Sequence, residues 1–291
     1  MPYERGDPSG NGHQGQLGTA GGDSSPTPVA VPGIPPTAQL ALGSDHGCAT
    51  TTMGEVLCWG SNEFGQLGIG KGVAKIMQPS HVEVTGKVVQ LVASDMDTCA
   101  LATEHEVYCW GENLRGEAGA SNMATRIAWV PNHVAIASHS RQLAAAYSTL
   151  CAVKDDGHIV CWGYLTSHLG PGFDASTSGE VPGIDEAIKV AVGYAHACAL
   201  RRDGSVWCWG KDDFGQLGDG RNEAAWTPTA VRTKGRATDV VAGMRNTCAR
   251  LEDLRWYCWG DNRSGQIGPR SQPLIATPTL LDLSQVDLAS Q

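Results

Sequence analysis

The residues of this 291-residue chain with the most evident chemistry are its ten cysteines. They fall into five pairs, Cys48/Cys58, Cys99/Cys109, Cys151/Cys161, Cys198/Cys208 and Cys248/Cys258. In each pair the partners stand ten positions apart. Such pairs form disulfides, hold zinc, or stay buried as free thiols. Structural zinc sites usually pair ligands about two to four residues apart, which fits this spacing poorly. A disulfide wants Cβ atoms about 3.5–4.5 Å apart. Opposed residues of an antiparallel hairpin come to about 4.5–5.5 Å, so a small adjustment closes the bond. Disulfides are therefore the expected state, with zinc and free thiols as the alternatives. Disulfides persist in oxidising compartments, which places the chain outside the cytoplasm. The N-terminal Met-Pro-Tyr-Glu-Arg-Gly-Asp shows neither the basic nor the apolar part of a signal peptide.

The elements that must hold the cysteines face to face are hairpins. From Cys198 to Cys208, Leu200 and Val206 alternate with Ala199 and Trp207, the period of a strand. Arg202-Asp203-Gly204 between them suits a type I turn followed by a left-handed glycine. This register opposes Leu200 to Val206 and Cys198 to Cys208. The other copies centre on Thr52-Met53-Gly54, Thr103-Glu104-His105, Asp155-Asp156-Gly157 and Glu252-Asp253-Leu254. Leucine is a poor left-handed residue, so the last hairpin is expected to be the least regular. A short run of small apolar residues precedes each hairpin, as at Val190-Ala191-Val192-Gly193. A glycine turn such as Gly215-Gln216-Leu217-Gly218 follows, then often a proline-bearing edge strand such as Thr227-Pro228-Thr229-Ala230-Val231.

The first cysteines recur at intervals of 51, 52, 47 and 50 residues. A fixed period of this length marks a repeat architecture. The fold class is all-β: a β-propeller of four-stranded antiparallel blades, five complete plus a composite or incomplete sixth. The blades are expected at 38–86, 87–139, 140–185, 186–236 and 237–283. Residues 1–37 carry a Gly15-Gln16-Leu17-Gly18 turn and a Thr27-Pro28-Val29-Ala30-Val31 edge run. Val286-Asp287-Leu288-Ala289-Ser290, within 284–291, matches the inner strand of the other repeats. The two ends are expected to share one closing blade within a single propeller domain.

Five of the nine tryptophans, Trp59, Trp110, Trp162, Trp209 and Trp259, are motif copies and read as filling between blades. The net charge of −9 argues against a nucleic-acid surface, which needs a basic stripe. No apolar run approaches a membrane helix in length. The nine histidines show no metal-ligand spacing, and no nucleophile elbow or phosphate loop appears. No catalytic residue, metal or cofactor is expected, and the chain reads as a monomer.

One position varies usefully. Two residues before each first cysteine stand His46, Asp97, Thr149, His196 and Asn246, and beside them Asp45, Met96, Ser148, Ala195 and Arg245. Tyr147 and Tyr194 are neighbours. These loops link inner strand to hairpin, so one rim collects them. The plain reading is that the short polar side chains bond their own loops. The functional reading is a protein-binding rim of variable side chains on a fixed scaffold. The hairpin tips, with Asp155, Asp156, Asp203, Glu252 and Asp253, form an opposite acidic face.

The run Cys-Ala-Leu…Asp-Gly…Val-Trp-Cys-Trp-Gly…Phe-Gly-Gln-Leu-Gly resembles the repeat of the regulator-of-chromosome-condensation family, from Gly15 to Ser290. The resemblance implies a β-propeller, commonly seven-bladed. The paired cysteines look like the bacterial, extracytoplasmic branch. Family functions include nucleotide exchange on a small GTPase, ultraviolet-B sensing through a Gly-Trp-Arg-His-Thr motif, and β-lactamase inhibition. The matching stretch here, Gly193-Tyr194-Ala195-His196-Ala197, lacks that tryptophan. The repeat spacing leaves no room for the wedge that the exchange factor uses. The leading expectation is a non-catalytic protein-binding propeller with a protein partner. The alternatives are a guanine-nucleotide-exchange-type regulator and an extracytoplasmic enzyme or enzyme inhibitor.

Overall fold

The structure is a computed structural model describing residues 11–22, 24–27, 29–119, 125–163, 178–268 and 272–281. Its described strands form five four-stranded antiparallel sheets. The first comprises β1 (Thr37–Leu42), β2 (His46–Thr51), β3 (Val56–Ser61) and β4 (Lys75–Val82), paired in that order. The second comprises β5 (Val88–Ala93), β6 (Asp97–Ala102), β7 (Val107–Glu112) and β8 (Ile127–His133). The third comprises β9 (Ser140–Ala146), β10 (Thr149–Lys154), β11 (Ile159–Gly163) and a two-residue β12 (Gly179–Glu180). The fourth comprises β13 (Ala187–Val192), β14 (His196–Arg201), β15 (Val206–Gly210) and β16 (Ala225–Ala230). The fifth comprises β17 (Ala237–Ala242), β18 (Asn246–Leu251), β19 (Trp256–Asp261) and β20 (Leu274–Leu280).

The chain divides into two compact units, Met1–Leu150 with Trp162–Tyr164, and Cys151–Cys161 with Leu165–Gln291. The closing strand expected at Val286–Ser290 and the start at 1–10 lie outside the described residues. The turn at 15–18 is described. Trp59 donates its indole N–H to the Gln16 carbonyl at 2.9 Å, as Trp110 does to the Gln66 carbonyl. Residues 15–18 thus serve the first sheet as a repeat turn serves the sheet after it.

All five disulfides form, Cys48–Cys58, Cys99–Cys109, Cys151–Cys161, Cys198–Cys208 and Cys248–Cys258, each with a Cα–Cα distance of 4.1 Å. The zinc and free-thiol alternatives are thereby set aside. Nine of these cysteines, Cys58 and Cys109 among them, are fully buried, and Cys248 is half-buried. The bonds are internal staples of the sheets, and none of the ten residues is a surface site. The pairs Cys48↔Cys58, Cys99↔Cys109 and Cys198↔Cys208 keep the expected register within their hairpins.

The outer edge of each sheet is less regular than the alternation suggests. The pairing of β3 with β4 slips between Cys58 and Gly60, and that of β7 with β8 between Cys109 and Gly111. The same slip follows Cys208 and Cys258. Its cause is the edge-strand proline. Pro79, Pro131, Pro228 and Pro278 each precede the residue paired with the second cysteine. A proline has no N–H for the ladder, so the outer strand bulges past it.

The fifth hairpin departs from expectation. Leu254 takes φ 65°, and its N–H reaches the Leu251 carbonyl at 2.9 Å, as Gly54 does to Thr51. With 74 % of Leu254 exposed, its side chain stands in solvent and the left-handed backbone is tolerated.

The glycine of each Trp-Gly is required by close approach. Gly60 has φ 103°, and a Cβ there would stand 2.4 Å from the Asp45 carbonyl oxygen. The next residue then donates to that carbonyl, Ser61 to Asp45 at 2.8 Å. The same clamp joins Glu112 to Met96, Lys211 to Ala195 and Asp261 to Arg245.

The glycine turns are closed by an asparagine. The Oδ1 atoms of Asn62, Asn113 and Asn262 accept from the N–H of Leu67, Ala118 and Ile267 at 2.9–3.1 Å. Their Nδ2 groups donate to the main-chain carbonyls of Val73, Thr125 and Gln272 at 2.7–2.9 Å. In the fourth sheet Asp212 stands at this position.

Candidate functional site

The loops expected to form a rim follow the inner strands β1, β5, β9, β13 and β17. The carbonyl clamps fix the backbones of the loops after β1, β5, β13 and β17, and the side chains of all five loops divide into two groups.

One group turns inward, and here the open-rim expectation is corrected. His46, Asp97, Ser148, Thr149, Ala195 and His196 are all buried. Nor do the histidines bond their own loops. In the first unit His46 Nε2 meets Thr98 Oγ1 at 2.8 Å, and Thr98 donates its hydroxyl to the Gln66 carbonyl at 3.0 Å. The Trp110 indole N–H reaches the same carbonyl. In the second unit His196, Thr247, Gln216 and Trp259 repeat this with distances of 2.8, 3.0 and 2.8 Å. Because each threonine spends its proton on the carbonyl, each histidine must donate from Nε2. Burial lowers both histidines to about 4, so they stay neutral. Gly43 and Gly193 are obligatory beneath them, since a Cβ would lie 2.1 and 2.2 Å from the imidazole Cε1. These histidines are seams between neighbouring sheets.

Asp97 occupies the same position in the second sheet with different surroundings. The residue corresponding to Thr98 there is Leu150, which is buried and apolar. Neither Asp97 oxygen closes a hydrogen bond, and the residue is 0 % exposed. Burial raises its carboxyl to about 7, with Glu117 and Asp95 adding to the rise. The hydroxyls of Ser94 and Ser148 oppose it. The sequence held a signal for these seams. The residues before the first cysteines are Gly47, Thr98, Leu150, Ala197 and Thr247, with threonine standing where the preceding repeat has histidine.

The second group faces outward. In the first unit Asp45, Met96 and Tyr147 are half-buried. Asp45 accepts from Gln16 Nε2 at 3.2 Å, at the edge of a cleft of about 610 Å³ that Asn11, Leu42 and Ser44 also line. In the second unit Tyr194 is 42 % and Met244 47 % exposed, and the Tyr194 N–H bonds the Met244 carbonyl at 3.1 Å. Arg245 and Asn246 are half-buried beside them. The Arg245 guanidinium lies 4.5 Å from the Phe214 ring centre, and that of Arg263 lies 4.6 Å from it. Arg263 is also held by both oxygens of Asp261, at 2.9 and 2.6 Å. Sequence reasoning missed Phe214 and Arg263, because only the fold brings the glycine turns to these loops, and it passed over Met244 beside Arg245 in the loop itself.

The hairpin tips are exposed as expected, and two of their acids are paired with arginine. Asp253 pairs with Arg255 at 2.8 Å and Glu252 with Arg236 at 3.3 Å. This face is therefore of mixed charge. No described helix is long and apolar enough to cross a membrane.

Comparison with known proteins agrees with this architecture. The chain is 32 % identical to the human Regulator of chromosome condensation over 125 residues, 43 % of this chain and 30 % of that protein. It is 28 % identical to the Ultraviolet-B receptor UVR8 of Arabidopsis thaliana over 188 residues, 59 % of this chain and 42 % of the receptor. The chain thus spans less than half the length of these relatives. Among solved structures, human WBSCR16 superposes with a TM-score of 0.77 at 22 % identity, covering 93 % of this chain and 74 % of that one. Yeast RCC1 (Prp20), solved with Kap60 bound, gives a TM-score of 0.78 at 23 % identity, covering 92 % and 69 %. These likenesses establish the β-propeller fold class. The model of the RCC1-like domain matches residues 9–290, and the chain belongs to that family.

Proposed function

We propose that this chain is a non-catalytic protein-binding propeller, acting outside the cytoplasm as a monomer, that grips its partner through the outward loops of the second unit. One observation carries the reading. The Arg245 guanidinium lies over the Phe214 ring, with no hydrogen-bond partner among the described residues, beside exposed Tyr194 and Met244. Arginine, tyrosine and methionine are enriched at interfaces. An arginine already ordered by stacking loses less entropy on binding than a free one. The Ala195 and Arg245 carbonyl clamps hold the backbone while leaving the side chains to specify the partner. Five disulfides and no free cysteine support an oxidising location.

The test is capture of a partner from native culture medium by the wild-type chain and by the Tyr194→Ala/Arg245→Ala double variant. The expected result is loss of the partner with an unchanged melting temperature. Undiminished capture by the double variant, together with loss on charge reversal at Asp156 and Asp203, would move the interface to the hairpin tips. A nucleotide-exchange-type regulator is the second reading, favoured by the identity to the human regulator. Faster nucleotide release from a captured GTPase would establish it.

A further inference from the structure

We infer that the outward loops of the second unit take their partner by a side-chain carboxylate, held by Arg245, with an apolar neighbour seated against Tyr194 and Met244. The inference rests on the reading of these loops as the binding face and names the chemistry they select. It starts from two guanidiniums that share one acid. Arg245 and Arg263 lie 4.5 and 4.6 Å from the centre of the Phe214 ring. Asp261 is close to both, and Arg263 engages both of its oxygens. Oδ1 accepts from the Arg263 main-chain N–H at 3.0 Å and from Nε at 2.9 Å, and Oδ2 accepts from Nη2 at 2.6 Å. The Arg263 bonds hold the Asp261 carboxyl below the usual carboxylate range, and the charge of Arg245 adds to that effect. Arg245 is thus near enough to feel the acid, yet no bond joins the two side chains.

The same loop position in the first sheet shows which kind of group suits the place. Asp45 stands there, and the glycine turn at 15–18 meets it with an amide, Gln16 Nε2 donating to Asp45 Oδ1 at 3.2 Å. The turn itself orients that amide, since Gln16 Oε1 accepts from the Gln14 N–H at 2.9 Å. The turn at 215–218 is built alike, with Gln216 Oε1 accepting from the Phe214 N–H at 2.8 Å. Its Nε2 hydrogens suit an acid on the loop above, and the fifth sheet puts a guanidinium there instead. Neither the Gln216 Nε2 group nor the guanidinium can accept a hydrogen bond. A carboxylate from outside supplies the acceptor that Asp45 supplies in the first sheet.

A carboxylate fits this place in shape and in charge. It is planar, and a guanidinium fork meets it with two parallel bonds. Its single charge matches the one guanidinium of the pair that has no ion pair of its own. Asp213, exposed and next to Phe214 in the chain, pairs with neither arginine. Tyr194 and Met244, exposed and joined by the Tyr194 N–H to the Met244 carbonyl, form the apolar side of the seat.

The experiment is a chemical-shift titration of the full chain with two soluble peptides that differ in one residue, a Leu-Glu-Leu and a Leu-Gln-Leu core between serine-glycine flanks. The wild type should bind the glutamate peptide about five- to tenfold more tightly, with a smaller advantage at higher salt. Arg245→Gln should melt with the wild type and bind both peptides alike, as weakly as the wild type binds the glutamine peptide. Tyr194→Ala should weaken both peptides to the same degree and keep the preference. Equal affinity of the wild type for the two peptides, no binding of either, or a preference that survives Arg245→Gln overturns the inference. Equal affinities that both fall in Tyr194→Ala would overturn the acid alone and leave the face in place. The reading of the face falls separately, when the Tyr194→Ala/Arg245→Ala variant still captures the partner.

Discussion

Replacing Asp97 with asparagine should remove a pH-dependent weakness from the second sheet, with a size set by the burial of one carboxyl. The Asp97 carboxyl is raised from its ordinary 3.8 to about 7. In the native state it keeps its proton up to about pH 7, whereas in the unfolded chain it has lost it by about pH 4. Between these values the folded state binds more protons, so unfolding free energy falls as pH rises. The slope is about 1.4 kcal/mol per pH unit, and the full loss by about pH 7 is about 4 kcal/mol. Above that pH the loss is constant. The histidine seams act in the opposite sense. His46 and His196 are lowered from 6.5 to about 4, so the unfolded state binds their protons and stability rises with pH across that window. The wild-type profile alone therefore mixes the two. The difference between Asp97→Asn and wild type cancels the histidines and isolates the carboxyl. Urea unfolding of both proteins from about pH 4.5 to pH 8 should show this difference growing in favour of asparagine and levelling near pH 7. Any hydrogen bond that the asparagine amide makes does not titrate and adds only a constant offset. A difference that stays flat with pH would refute the reasoning, since it would mean that Asp97 is ionised or solvated in the native protein.

Thr98→Val keeps the shape of the seam but leaves the His46 Nε2–H without its acceptor, so it should lower stability by about 1–3 kcal/mol in chemical unfolding. Thr247→Val should do the same in the second unit. Cys248 is the one disulfide cysteine that is only partly buried. Timed alkylation under mild reductant should therefore label Cys248 and Cys258 before the other four pairs, with mass spectrometry showing the order. Gly218→Ala should destabilise strongly in thermal melts, because φ is 70° and the new Cβ would stand 2.7 Å from the Trp259 indole nitrogen.

What was legible in the sequence was what lies close along the chain. Cysteines ten positions apart around a turn leave one plausible register, and the structure has it. The Gly-Gln-Leu-Gly turns were equally plain, including the copy at 15–18. The contacts between sheets were not. His46 and Thr98 are 52 residues apart, and a polar loop residue carries no mark of which neighbour it will meet. The rim was therefore read as uniformly open, although half of it is buried. Tyr194 and Arg245 point outward, while His196 beside them is buried, because the carbonyl clamp fixes which of two adjacent side chains turns in. At the acidic tips the sequence hid the partners in another way. Arg236 and Arg255 pair with Glu252 and Asp253 from positions that look unremarkable until the hairpins are folded.

The seams also bear on how such a gene grows or shrinks. Each disulfide lies within one repeat, so duplicating or deleting a repeat carries its staple along intact. The histidine and its threonine belong to successive repeats, and so do the indole and the turn carbonyl it reaches. A crossover at the repeat boundary hands each half to a foreign neighbour. Joining the repeat of Asp97 to that of Thr98 would set a carboxyl against a hydroxyl, and joining that of His46 to Leu150 would strand an imidazole against a hydrocarbon. A segment shifted by half a repeat, ending between the hairpin and its glycine turn, keeps each indole with its carbonyl but still parts each histidine from its threonine.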